Sequence, residues 1–163
     1  MIKLFQTLLP VGAPAPDFHM LDQTGRTVHL ADHLGEAARA RGCNGVVLVF
    51  YPADFTPVCT GQLCEFRDHW QRLQSAGLAV FGVNPFDYET HQRFAEKHGF
   101  PFPLLFDPKG RFARRYQVDI IRGFVHRRAV YGIGTDGRIC FAQPGKPSVA
   151  TVLAAFDATQ PVA

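Results

Sequence analysis

The chain has few cysteines, no long apolar run and almost no excess charge, and each shortage removes a class of protein. Four cysteines in 163 residues, Cys43, Cys59, Cys64 and Cys140, are too few and too unevenly spaced for a secreted disulfide scaffold. In a reducing compartment such residues are free, catalytic or metal-bound, and which of these applies is the central question. The longest apolar run, Val46 to Tyr51, is six residues between Gly45 and Pro52, far short of the roughly 20 that a membrane-spanning helix needs. Seventeen basic against 14 acidic residues leave a net charge of +3, too mild to demand a nucleic acid or another polyanion. The first ten residues carry one lysine and apolar side chains interrupted by Gln6 and Thr7, with no signal-peptide core or small-residue cleavage site, so a cytoplasmic address is expected. Repeats, low-complexity tracts and linkers are absent too.

What is present suits a packed core: 47% of the residues are hydrophobic and 19% charged, at a length usual for one domain. A single domain over residues 1–163 is expected, with a core of about 11–156 and loose ends before Pro10 and after Asp157. Residues 11–35 read as a loop and short strands, with turn chemistry at Asp22-Gln23-Thr24-Gly25. Val46–Tyr51, apolar on consecutive residues, reads as a central strand covered on both faces. A helix from Pro57 to residue 75 follows, with Thr56 as N-cap, proline at the first helical position and Gly77 as its stop. A second buried strand, Leu78–Val83, leads to a helix capped by Asp87 and ended by Gly99. Then come a short strand at Leu104–Phe106, a basic helical stretch to Tyr116, a hairpin around Asp136-Gly137, and a last helix from Ser148. The order βαβα, hairpin, α implies an α/β fold with helices flanking a central mixed sheet.

The passage from the first buried strand into its helix holds the strongest chemical signal. With Thr56 as N-cap, Cys59 is the third helical residue, where unpaired backbone N–H groups and the positive end of the helix dipole favour an anion. A cysteine there can be a thiolate, and a nucleophile, at neutral pH. Cysteine is equally at home as an inert buried residue, so position alone leaves both readings open.

The neighbours carry more. Pro52-x-x-x-Thr56-x-x-Cys59 is the motif of the peroxiredoxins, and the chain resembles their Q, or bacterioferritin comigratory protein, branch. The likeness runs from Val11-Gly12-x-x-Ala15-Pro16-Asp17-Phe18 through Phe50-Tyr51-Pro52 and Cys64-x-Phe66-Arg67-Asp68 to Phe94–Gly99, Pro101–Leu105 and the Asp136-Gly137 turn. It implies a thioredoxin-like fold with extra N-terminal strands. It also implies a thiol peroxidase that reduces hydrogen peroxide and organic hydroperoxides without metal, haem or flavin, recycled by thioredoxin or a glutaredoxin-like dithiol. By the resemblance Cys59 is the peroxidatic cysteine, Thr56 the hydroxyl that positions the peroxide, Pro52 the shield of the thiolate, and Arg128 the arginine of the pocket. Alternation along a strand is expected to send the adjacent Arg127 to the opposite face.

The resemblance also makes Cys64 the resolving cysteine, bonded to Cys59 within one chain, which fits a monomer or a weak homodimer. On an intact helix the two Cα atoms are about 8.6 Å apart, beyond the roughly 7 Å a disulfide tolerates, so the helix start must unwind for the bond to form. Cys140 or Cys43 remain alternative partners, since four cysteines allow three full pairings. Two departures from the branch stand out. Val58 occupies a position often held by glycine, which crowds the approach to Cys59, and Gly132 and Gly134 replace bulkier strand residues, which is expected to loosen the hairpin edge.

Weaker signals have plainer explanations. Gly132-Ile133-Gly134-Thr135-Asp136-Gly137 spells a dinucleotide-binding string, but a strand follows where that turn needs a helix. His29 and His33 lack companions at metal-site spacing. Arg111, Arg114, Arg115, Arg122, Arg127 and Arg128 lack the stacking aromatics of a nucleic-acid module and read as a solvated basic face. Two other functions remain on the same fold, a general thiol–disulfide oxidoreductase, which would want an absent Cys-x-x-Cys pair, and a non-catalytic redox sensor.

Overall fold

The computed structural model describes residues 6–121 and 125–158. Its elements run β1 (His19–Leu21), β2 (Thr27–His29), α1 (Gly35–Ala40), β3 (Gly45–Phe50), α2 (Pro57–Asp68), α3 (Trp70–Ser75), β4 (Leu78–Asn84) and α4 (Tyr88–His98). There follow β5 (Leu104–Phe106), α5 (Arg111–Arg115), β6 (Asp119–Ile121), β7 (Val125–His126), β8 (Ala129–Gly134), β9 (Ile139–Pro144) and α6 (Val149–Asp157). Seven strands form one mixed sheet in the order β2-β1-β5-β4-β3-β8-β9. Strands β3, β4 and β5 are parallel, and β1 and β8 run against β5 and β3.

Consecutive apolar residues bury β3 from end to end, and its two-residue period divides the side chains between two cores. Val47, Val49 and the adjoining Tyr51 pack with Leu63, Phe66, Phe94, Val152 and Phe156 on one face. Val46, Leu48 and Phe50 pack with Phe18, Met20, Phe112 and Tyr131 on the other. The helix boundaries follow the expected caps: the Asp87 carboxylate accepts from Thr90 N, which holds its acid below the usual carboxylate range, and Gly99 ends α4 in the left-handed region at φ 63°.

The expected helix over 57–75 is two helices. His69 leaves helical geometry at φ −104°, ψ 17°, and its ring Nδ1 lies 3.0 Å from the Glu65 carbonyl oxygen. The bend points Leu73 into the core and sets Trp70 against Phe102, with ring centroids 5.9 Å apart. Nor is the chain loose up to Pro10: Leu9 N donates to the Tyr131 hydroxyl, and Leu8 and Leu9 pack on the core. Residues 1–5 and 159–163, and Arg122 of the basic stretch, lie outside the described residues.

Gly132 of the hairpin, with Gly45 of β3, leaves room for a packed ring. A Cβ on Gly132 would meet Phe141 and the Phe156 ring at 3.0 Å, and one on Gly45 would come under 3.0 Å from that ring and from the Ile133 carbonyl oxygen. Gly45 and Gly132 thus form the floor on which α6 seats Phe156. Gly45→Ala is expected to overpack this floor and lower stability by about 1–3 kcal/mol, read as a fall in denaturation midpoint at unchanged slope. An unchanged midpoint would mean that Phe156 and the Ile133 backbone both shift to make room.

Candidate active site

Strands β3 and β4 are parallel neighbours, so the segments that leave their carboxyl ends start side by side. Tyr51 to Thr56 leave β3, and Asn84 to Asp87 leave β4. Thr60 N donates to Thr56 O at 2.9 Å, so Thr56 holds the N-cap position and the backbone puts Cys59 third in α2, as expected. Pro57, Val58 and Gly61 at this helix start are exposed, Val58 by 51%, whereas Gln62, Leu63 and Phe66 are buried.

Arg128 is brought to the same helix. Its Nη1 donates to Gln62 Oε1 at 2.8 Å, three residues on from Cys59. Arg127 points elsewhere, donating from Nη1 to the Gln6 carbonyl oxygen at 2.7 Å. The two do diverge, but not by strand alternation, since both lie in the link between β7 and β8. The link is anchored by Gly145 N, which donates to Arg128 O, and the fully buried His126 before it has Nε2 3.1 Å from Asp107 Oδ2. Gln62 is a residue the sequence reading missed. Its signal was a polar side chain at an inward helical position, next to Leu63 and four before Phe66.

A second missed group sits under the loop. Asp54, 5% exposed, accepts from the Tyr51 hydroxyl and Asn84 Nδ2 at Oδ1, and faces His91 Nδ1 at Oδ2. Between Asp54 and Thr56, Phe55 adopts φ 64°, costly for a bulky side chain, with its ring 5.0 Å from that of Phe94.

The other cysteines lie in different settings. Cys64 is half-buried on α2 against the core, five residues beyond Cys59 on one unbroken helix. Cys140 occupies the bulge of β9 opposite Gly132 and Ile133, where burial pushes its thiol up to about 11. Cys43 Sγ lies 3.6 Å from the His33 carbonyl oxygen. Cys43, Cys64 and Cys140 are free thiols. Among the described residues no three His, Cys, Asp or Glu side chains gather as metal ligands, and no helix is long and apolar enough to cross a membrane.

The family model described as AhpC/TSA matches residues 11–142. The chain belongs to the AhpC/TSA family. Similar members include Peroxiredoxin Bcp of Bacillus subtilis, 36% identical over 68% of this chain and 65% of that protein, and the chloroplastic Peroxiredoxin Q of wheat, 39% identical over 66% and 46%. The chain thus spans less than two thirds of the length of these two relatives. Alkyl hydroperoxide reductase E of Mycobacterium tuberculosis is 34% identical over 86% of this chain and 88% of its own. Among solved structures of the family, Peroxidoxin BcpB of Mycobacterium tuberculosis superposes with a TM-score of 0.82 at 28% identity, covering 94% of this chain and 99% of that one. Peroxiredoxin Q of Xanthomonas campestris gives 0.75 at 26%, over 93% and 96%. The expected fold, a thioredoxin-like mixed sheet flanked by helices, is the one shared with these structures.

Proposed function

We propose that the chain is a thiol-dependent peroxidase acting on hydrogen peroxide and organic hydroperoxides. The observation that carries this reading is the placement of Pro52-x-x-x-Thr56-x-x-Cys59 at the start of α2, with Arg128 bonded to Gln62 of the same helix. The names of the relatives support it, two of them peroxiredoxins and one an alkyl hydroperoxide reductase.

Helix N-terminal amides and the Arg128 guanidinium favour the Cys59 thiolate. The thiolate attacks one peroxide oxygen, an S–O bond forms as the O–O bond breaks, and the second oxygen leaves as water or an alcohol after taking a proton. Arg128 and the Thr56 hydroxyl stabilise charge on the separating oxygens. Cys59 sulfenic acid then condenses with the Cys64 thiol, releasing water and forming a disulfide, and an external dithiol such as thioredoxin returns two electrons and two protons. A monomer or weak homodimer suffices, because the resolving thiol is in the same chain. Cytoplasmic residence belongs to the same reading and rests on the sparse cysteines.

Peroxide consumption with a thioredoxin system tests the proposal: many turnovers per chain are expected, and a single equivalent consumed would point to a redox sensor instead. Arg128→Met is expected to move the Cys59 thiolate titration to higher pH and to slow peroxide attack ~10²-fold at neutral pH. Arg127→Met, whose guanidinium is engaged at Gln6, is expected to do little. Thiolate absorbance against pH in both variants checks this, and equal shifts would remove Arg128 from its role.

A further inference from the structure

We infer that Asp54 and His91 act together as positioning residues for Cys59, holding the loop that delivers the helix start. The inference deepens the peroxidase reading and rests on it. The Asp54 carboxylate joins three elements at one point and reaches a fourth through His91. Its Oδ1 accepts from the Tyr51 hydroxyl at the end of β3, at 2.6 Å, and from Asn84 Nδ2 at the end of β4, at 2.9 Å. Its Oδ2 lies 2.6 Å from Nδ1 of His91 on α4, and His91 Nε2 lies 3.1 Å from the Leu105 carbonyl oxygen of β5. Asn84 Oδ1 in turn accepts from Phe86 N, so the same network fixes the loop after β4.

A buried carboxylate is costly unless its oxygens are matched, and apolar packing would stabilise a core at least as well. What directional bonds add is a defined place. Asp54 stands two residues before Thr56 and five before Cys59, and Phe55 between them keeps a left-handed φ of 64° that a bulky side chain holds only where its surroundings impose it. Pulled toward β4 and α4 by Asp54, the loop has one path into α2, and that path sets where Thr56 and the first helical amides stand. Neither Asp54 nor His91 is assigned a contact with peroxide; both act through the loop.

The test is the rate of Cys59 oxidation by hydrogen peroxide in a single turnover, read alongside thiolate absorbance against pH and the thermal midpoint. Asp54→Ala, which deletes the carboxylate that ties the loop to Tyr51, Asn84 and His91, is expected to slow the oxidation ~10²-fold, the order that a displacement of about 1 Å costs a reacting group, and to shift the thiolate titration. Asp54→Asn is the rescue. Its Oδ1 still serves Tyr51 and Asn84, and its Nδ2 donates to a neutral His91 ring that donates from Nε2 to Leu105, so most of the rate is expected to return. His91→Leu, which cuts the ties to α4 and β5 but leaves those to Tyr51 and Asn84, is expected to fall between them and serves if Asp54→Ala does not fold. Parent rates and titrations in folded Asp54→Ala or His91→Leu would overturn the inference, as would an Asp54→Asn rate no better than that of Asp54→Ala. Absence of Cys59 oxidation in the parent chain would overturn the peroxidase reading, and this one with it. Oxidation in the parent with unaffected variants would overturn positioning alone.

Discussion

Cys59→Ser is expected to abolish peroxide consumption, a loss of ~10³-fold or more, whereas Cys64→Ser is expected to keep the first oxidation and stall recycling by thioredoxin. A serine hydroxyl stays protonated at neutral pH, so the variant lacks the thiolate proposed as nucleophile. Removing Cys64 leaves that nucleophile with its helix amides and with the Arg128–Gln62 pair. It removes only the thiol five residues along α2 that is proposed to displace water from the sulfenic acid. Cys140 is a poor substitute, because a thiol pushed to about 11 by burial supplies little thiolate at neutral pH. Mass spectrometry after one turnover should find a single added oxygen on Cys59 in Cys64→Ser. If Cys140→Ser stalls recycling instead, the resolving role belongs to Cys140.

The second large effect is on structure: oxidation is expected to melt the first turns of α2. The Cα separation of about 8.6 Å across five helical residues must fall below roughly 7 Å. The exposed helix start, Pro57, Val58 and Gly61, gives up little packing, but Leu63 and Phe66 are fully buried, and each exposes a side chain worth about 1.5–3 kcal/mol when it leaves the core. Ties further along resist: Glu65 Oε1 accepts from Val149 N, and Arg67 Nη1 donates to the His98 carbonyl oxygen at the end of α4. Amide hydrogen exchange should therefore lose protection over residues 57–66 on oxidation while β3 keeps it. The oxidised form should also be the less stable one, although the crosslink offsets part of the loss. Gly61 has open space where a Cβ would stand, so Gly61→Ala should add about 1 kcal/mol to the helix and slow disulfide formation about fivefold. Unchanged protection over 57–66 with a Cys59–Cys64 bond in hand would show that the helix closes the gap without unwinding.

The elements legible in the sequence were those fixed by local chemistry. β3 announced itself by consecutive apolar residues, α4 and α6 by Asp87 and Ser148 at their caps, and the β8–β9 hairpin by Asp136-Gly137. The helix break at His69 was hidden because the apolar spacing carries through it to Leu73, and only contact with Phe102 fixes where Trp70 points. α1 buries a single alanine, Ala38, too little for a periodic signal, and the β6–β7 pair is two or three residues a strand. At the site, Cys59 and Thr56 were readable because cap and nucleophile lie in one local motif. Asp54, Asn84 and His91 were not, since their bonds join residues 30 and 37 apart in sequence. What Gly132 makes room for was hidden for the same reason: the ring that needs its missing side chain lies on α6.

The ties that hold α2 to its neighbours also bear on the electron affinity of the proposed disulfide. Reduction lets Gln62 rejoin Arg128 and returns Leu63 and Phe66 to the core, so the refolding energy of the helix is added to the driving force for taking up two electrons. Each 1.4 kcal/mol of that energy makes the reduction potential about 30 mV more positive. Under the proposed mechanism the helix is a spring strained by oxidation, and a stiffer spring would give a disulfide that a dithiol reduces more readily.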